Sequence, residues 1–223
     1  MADTESRDIL ERGLAALDLR VEEKAREQLR LYCRELLRWN EKMNLIAKAP
    51  LERIWETHFL DSLTLLPLLD TSPLADIGSG AGFPGLALKI ARPELAVILV
   101  EPRQKRVSFL KHIIRTLGLE NIEVRCGRLE KENNLVAGRP LSATIVTSRA
   151  FTAIPDFLLH AEPVNPVGGR VLCMKGPKAE EEIAAWRLAQ AESPYRLQEI
   201  RSLTLPFSGL VRNLVVFAKE GPL

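Results

Sequence analysis

The sequence predicts an α/β protein, a doubly wound and mostly parallel sheet ending in an antiparallel pair, with a helical segment in front. Three observations carry this. From Leu74 onward, short β-branched runs alternate with helical patterns. The last two strand-like runs, "YRLQEIRSLTLP" and "VRNLVVFAK", are separated only by "FSGL", too short for a crossover helix, so they pair antiparallel. Residues 1 to about 70 carry apolar side chains at helical spacing.

Each element follows in order. Val21, Ala25, Leu29, Tyr32, Leu36 and Trp39 recur at three- and four-residue steps and predict one amphipathic helix. Leu51, Ile54, Trp55, Phe59, Leu63 and Leu66 form a second apolar series, with "NEKMNLIAKAP" between the two. The predicted parallel strands are "LADI", "AVILVEP", "IEVRC", "ATIVTS" and "RVLCMK". Helices are expected at Gly85 to Ala91, Gln104 to Leu117, Leu129 to Ala137, Ile154 to His160 and Ala179 to Ala191. No Gly/Ser linker and no repeat interrupts the chain. The expected organisation is a helical N-terminal extension, 1–70, and a sheet domain, 71–223.

Composition bounds the function. A chain of 223 residues that is 46% hydrophobic can bury a sizeable core. A net charge of +2 does not by itself call for an anionic partner. Cys33, Cys126 and Cys173 lie far apart with no CxxC or Cys/His spacing, which argues against a metal site or a disulfide framework. The N-terminus is charged, and no run approaches the ~20 apolar residues of a membrane span. A soluble cytoplasmic protein is expected.

The chemistry centres on "LADIGSGAGFPGLALKI", where Gly78, Gly80, Gly82 and Gly85 follow the first strand. Ligands in open α/β sheets sit beyond the carboxyl ends of the strands. A dinucleotide fingerprint would need glycine at position 83, where Phe83 stands. The G-x-G-x-G pattern behind Asp76 instead points to S-adenosylmethionine, which has no pyrophosphate. Its methionine end is expected against the loop, Gly78, Ser79 and Gly80, with Asp76 as the nearby acid. Glu101, closing the second strand, stands where a carboxylate takes ribose hydroxyls. "GRLE", Gly127 to Glu130, follows the third strand, where Leu129 and Glu130 can meet the adenine edge. Each feature alone has an ordinary explanation as a turn, a strand end or a helix cap. Together, at the ends of successive strands, they define a cofactor site.

At this point the sequence resembles one family. "DIGSGAGFPGLAL", "VEPRQKRVSFLKHIIRTLGLENIEVRCGRLE" and "IVTSRAF", with "LLRWNEKMNLIA", "HFLDSL" and "GGRVLCMKG", resemble the bacterial small-subunit ribosomal RNA guanine-N7 methyltransferases, the glucose-inhibited division protein B family. The resemblance implies a class I S-adenosylmethionine-dependent methyltransferase with a Rossmann-like sheet. It implies methyl transfer to N7 of one guanine of 16S rRNA, numbered 527 in the family's name, in the small ribosomal subunit. It puts cofactor contacts on Gly78, Phe83, Leu129, Glu130 and Arg149. Relatives usually carry Ala where this chain has Leu129, and many carry Asp where it has Glu101.

That chemistry is consistent with the residues. Guanine N7 offers a lone pair and carries no proton, so no general base is required, and positioning can supply about 7–11 kcal/mol. His58, His112 and His160 are expected to be structural. His58, with Asp61 three residues on and Ser62 four, is expected to tie the N-terminal helices to the core. Arg149 follows the fourth strand, where its planar fork can hold a base, a phosphate or the cofactor. A-form RNA hides N7 in a deep groove, so the target is expected to be single-stranded or flipped out. Phosphate contacts are expected from Arg103, Lys105, Arg106, Lys111 and Arg115 near the mouth, from Lys175 after the fifth strand, and from Arg34, Arg38, Lys42 and Lys48 on the helical part. The sequence leaves open action on another RNA, a small molecule or a protein. It argues against a non-enzymatic binder, because Gly78, Gly80, Glu101 and Glu130 are all in place.

Overall fold

The computed structural model describes residues 2–129, 134–149, 152–188 and 193–221. Helices α1 (Ala2–Ala16) and α2 (Glu23–Met43) come first. α2 buries Ala25, Leu29, Tyr32, Cys33 and Leu36 on one side and exposes Arg34, Arg38 and Lys42 on the other. It stops at Asn44, whose φ of 48° is a left-handed conformation that asparagine tolerates better than most residues. One continuous helical passage follows: α3 (Leu51–Ile54), a π-helical turn (Trp55–Leu60), α4 (Asp61–Leu63) and, after a break, a 3₁₀ turn at Leu66–Leu68. The wider π turn shifts the face that points inward. Glu56 and Asp61 are buried beside Trp55, Phe59 and Leu60 as a result.

The sheet is built from β1 (Leu74–Ile77), β2 (Val97–Glu101), β3 (Ile122–Cys126), β6 (Ile145–Arg149), β7 (Arg170–Lys175), β8 (Tyr195–Thr204) and β9 (Val211–Lys219). Its order is β3-β2-β1-β6-β7-β9-β8. The first five strands pair in parallel. β9 is antiparallel to both β7 and β8. Helices α5 (Gly85–Ala91), α6 (Gln104–Leu117), α7 (Ile154–Ala161) and α8 (Ala179–Leu188) connect the strands. The α/β layout and the antiparallel ending are as the sequence predicts.

One expected helix differs. In place of a helix over Leu129 to Ala137, the described part is an antiparallel pair, β4 (Leu135–Val136) with β5 (Arg139–Pro140), and Leu129 bridges Val136. Ala137 and Gly138 turn between them with φ of 52° and 73°, the left-handed pair a two-residue hairpin requires. Residues 130–133 lie outside the described residues, as do 189–192, where the end of the last predicted helix falls.

Two apolar cores flank the sheet. On one face, residues from Ile9 to Leu68 pack with Leu86, Phe109, Ile113, Leu172 and Val216 in a single cluster. On the other, Ile154, Phe157, Ile183 and Trp186 pack on Val146, Val171 and Phe217. The N-terminal extension is therefore part of the layer on one sheet face, with α2 packed on α5 and α6. It is also fastened to the far end of the chain. Glu56 Oε1 accepts the Phe207 and Ser208 N–H groups, each at 2.7 Å, and Asp61 Oδ1 accepts Arg212 Nε at 3.0 Å. Among the described residues no helix is long and apolar enough to cross a membrane.

Candidate active site

The carboxyl edge of the sheet carries two neighbouring clefts. The first, about 540 Å³, lies over the tips of β1, β2 and β3, between Gly78, Glu101 and Leu129, with Arg103, Arg106 and Arg128 around it and Arg149 as a wall. The second, about 720 Å³, lies over the tips of β6, β7 and β9 and shares Arg149; the π-turn residues Thr57 and His58 face Lys175, Glu182 and Arg212 across it. A larger hollow of about 810 Å³, bordered by Ser142, Asn165 and Lys219, lies at the opposite edge, where β6 and β7 begin.

Of the predicted cofactor residues, Gly78, Glu101, Leu129 and Arg149 line the first cleft. Gly78 has a φ of 77°, so its backbone turns as a side-chain-bearing residue resists doing. Glu101 is 2% exposed. Its Oε2 accepts the Gly80 N–H and its Oε1 the Arg103 N–H, both at 2.9 Å. Arg106 stands 3.8 Å away. The carboxylate thus ties the glycine loop to the start of α6, and each oxygen keeps a further lone pair for a ligand.

Asp76, Ser79 and Phe83 stand elsewhere than the sequence suggests. Asp76 is wholly buried, and its Oδ2 accepts the Gly85 N–H at 2.8 Å. The acid expected near the cofactor's ammonium is a tie between β1 and α5, beneath the loop. Ser79 is buried, its N–H and Oγ both directed to the Val100 carbonyl, at 3.1 and 3.3 Å. Phe83 is the centre of an aromatic cluster, stacked on Tyr32 and His58 at 5.3 and 5.2 Å and edge-on to Phe59 at 5.0 Å. Gly80 serves through its N–H to Glu101. Gly82 explains part of the motif that a ligand does not: at φ 102° a Cβ there would lie 2.6 Å from the Tyr32 hydroxyl oxygen. Glu130 lies outside the described residues.

Arg149 is embedded, not presented. Its Nη1 donates to the Thr57 carbonyl, and its Nη2 lies 2.9 Å from His58 Nδ1. Its guanidinium lies 5.2 Å from the centre of the Phe83 ring and 3.8 Å from Asp61. A guanidinium can only donate, so His58 Nδ1 is the acceptor and its proton sits on Nε2. Burial, then the charge of Arg149, pushes His58 down to about 3, so the ring stays neutral. Burial raises Asp61 against the pull of Arg212 and Arg149. His58 does link the N-terminal helices to the core, through the arginine; Ser62 bonds the His58 carbonyl at 2.5 Å. Glu56 and Arg212 have no counterpart in the sequence reading.

Among the phosphate candidates, Arg103 is exposed at the mouth, Lys105 is exposed two residues further along the chain, and Arg128 lines the cleft too although the sequence did not single it out. The Lys175 ammonium donates to the Thr152 carbonyl at 2.5 Å and pairs with Glu182 at 2.7 Å, so two of its three donors are committed within the protein. Lys111 and Arg115 lie roughly 12 and 18 Å along α6 from Arg103, at ~1.5 Å per residue, and border a separate surface hollow. Arg34, Arg38, Lys42 and Lys48 are exposed, with Arg38 held by Glu35 at 2.6 Å. His112 closes on the same Glu35 at 2.6 Å.

A pH test probes the loop's underside. Burial, opposed by the Gly85 N–H, pushes the Asp76 carboxyl up to about 7. The folded state then holds a proton that the unfolded chain releases near pH 4. Asp76 therefore contributes stability that is present at low pH and lost as pH rises toward 7. The stability difference between wild type and Asp76→Asn should fall over that window, with a limiting slope of about 1.4 kcal/mol per pH unit. Urea denaturation of both proteins from pH 4 to 8 measures it, and a flat difference would sink the assignment. His58 acts oppositely, losing stability as pH falls below 6.5 toward 3, which is why the comparison must be differential.

An antiparallel strand slotted between β7 and β8, on a parallel sheet whose first strand leads into a G-x-G-x-G loop, makes this a class I methyltransferase, a class that draws its methyl from S-adenosylmethionine. Solved structures agree at the level of fold. An rRNA methylase from Streptococcus thermophilus superposes with a TM-score of 0.50 at 16% identity, over 79% of this chain and 99% of that one. M. jannaschii TYW2, solved in complex with AdoMet, does so at 0.50 and 16%, over 67% and 68%. Sequence comparison is more specific. The family model GidB, rRNA small subunit methyltransferase G, matches residues 25–214. Ribosomal RNA small subunit methyltransferase G of Desulfotalea psychrophila is 47% identical over 209 residues, 93% of this chain and 95% of that protein. The chain belongs to the rRNA small subunit methyltransferase G family.

Proposed function

We propose that this protein methylates N7 of a single guanine of 16S rRNA, the one numbered 527 in the family's name, and that it acts on the 30S subunit in the cytoplasm. The observation that carries the reading is the first cleft, where Glu101 stands between Gly78 and Leu129 with Arg149 at the far wall. S-adenosylmethionine asks for a hydroxyl acceptor, a flat apolar slot and a close approach of main chain. Glu101 offers the first, Leu129 with Val100 and Pro102 the second, and Gly78 the third, so these residues fit it. When bound, it supplies a methyl group on a positively charged sulfonium.

The chain's own work is positioning. Glu101 holds the loop and accepts the ribose hydroxyls. Arg149, fixed by Thr57, His58 and Phe83, is a rigid partition beside the reacting atoms. His58 is neutral, and its acceptor nitrogen is occupied by Arg149, so it takes no proton; none has to be removed from N7. The exposed Arg103 and Lys105 and the rim residue Arg128 supply phosphate attraction.

The test is to map 7-methylguanosine in 16S rRNA from cells with and without the gene. One guanine should lose the mark; an unchanged map overturns the proposal. Changing Arg103 or Lys105 to Ala should weaken binding of 30S subunits and reduce the salt slope by about one contact each, with S-adenosylmethionine affinity unaltered for Lys105. An unchanged slope would remove that residue from the interface.

A further inference from the structure

The second cleft is unaccounted for by cofactor binding. It opens beside the first on the same sheet edge and is built from parts far apart in sequence: the π turn, the loop after β7, α8 and β9. Between them lies an ion pair with unused capacity. Lys175 uses one proton on the Thr152 carbonyl and one on Glu182 Oε2; its third is directed to no described residue. Glu182 Oε2 also accepts the Ile154 N–H at 2.8 Å, while its Oε1 accepts from no described residue. An ammonium and a carboxylate 2.7 Å apart, each with a free valence, present a donor next to an acceptor at the wall of a cleft.

We infer that this cleft receives the target base and that the Lys175–Glu182 pair reads it as guanine; the inference rests on the function proposed above. Guanine carries O6, N1–H and the N2 amine in sequence along one edge. Lys175 would donate to O6, and Glu182 would accept N1–H and N2–H. Adenine presents an acceptor at N1, which a carboxylate repels, and no amine at C2. The placement also fits the reaction. Strands lie ~4.8 Å apart, so β7, which ends in Lys175, is two strands, ~10 Å, from β1, which ends at the Gly78 loop. A purine held at the β7 tip by its Watson–Crick edge turns its opposite side, with N7, toward Arg149 and the first cleft.

The test uses the full protein saturated with S-adenosylhomocysteine, which blocks the first cleft, titrated with guanosine or inosine 5′-monophosphate and followed by amide NMR. Guanosine monophosphate should shift residues around Lys175 and His58 and bind at least about tenfold tighter than inosine monophosphate, which lacks the N2 amine. Glu182→Gln should lose that preference and leave S-adenosylhomocysteine affinity unchanged. Gly176 borders the cleft, and a Cβ placed there meets nothing within 4 Å, so Gly176→Leu should abolish nucleotide binding in a folded protein. The inference is overturned by equal affinities for the two nucleotides in wild type, by undiminished preference in Glu182→Gln, or by binding that survives Gly176→Leu. Failure of wild type to bind S-adenosylhomocysteine would strike the proposed function itself; binding without nucleotide discrimination strikes only this inference.

Discussion

Arg149→Lys is expected to fold and to fail. The lysine keeps a positive charge near Asp61 but cannot reach the Thr57 carbonyl and His58 together, as the guanidinium does. The partition between the two clefts then loosens, and a misplacement of ~1 Å can cost about 100-fold in rate. Single-turnover methylation of 30S subunits at saturating enzyme and cofactor should fall by that order, while urea denaturation shows a loss of about 1–2 kcal/mol. Arg149→Ala differs in kind. It strips a buried carboxylate, Asp61, of one of its two cationic neighbours and should cost about 3–5 kcal/mol of stability. Loss of turnover without loss of fold is therefore expected of the lysine variant alone. A wild-type rate for Arg149→Lys would show that the arginine is only a structural pin.

Glu101→Ala should weaken S-adenosylmethionine binding by about 1.5–3 kcal/mol, the range for hydrogen bonds to a charged group. The structure divides this loss. One share is direct, through ribose hydroxyls; the other comes from the Gly80 and Arg103 N–H groups, which lose their acceptor. An analogue without ribose hydroxyls should therefore show a smaller loss, though not zero. Calorimetry with both ligands measures the split. Equal losses would assign Glu101 wholly to loop support, and wild-type affinity for the cofactor would overturn the assignment of the first cleft.

The sheet was legible because its signals are local. Each parallel strand is a short apolar run, and the four residues of "FSGL" exclude a crossover between the last two. Gly78, Glu101, Leu129 and Arg149 come to line one cleft for the same reason: each sits at or near a strand end, where the topology puts ligands. What escaped was non-local or off-period. A 3.6-residue reading of Leu51 to Leu66 cannot show the π turn that buries Glu56 and Asp61. Nothing local in Arg212 announces a carboxylate some 150 positions earlier. The motif could not show that the Asp76 side chain ties β1 to α5 or that the Phe83 ring joins the aromatic cluster, because a motif says which residues stand in a loop, not which side of it each side chain faces. Lys175 looked free because its partner, Glu182, arrives on a helix that the strand pattern does not orient.

The fastening of the π turn to the last hairpin has a consequence for synthesis. A nascent chain that has emerged through β7 already owns its glycine loop, Glu101 and Arg149. Glu56 then has no Phe207 and Ser208 amides to accept, and Asp61 has no Arg212. Each buried group left unpaired costs about 1–3 kcal/mol, and more when charged, against a total stability of only about 5–15 kcal/mol for an ordinary domain. Glu56 and Asp61 therefore lack these partners until residues 207–212 are in place. Chains stopped short of β9 should be substrates for proteolysis and not slow versions of the enzyme.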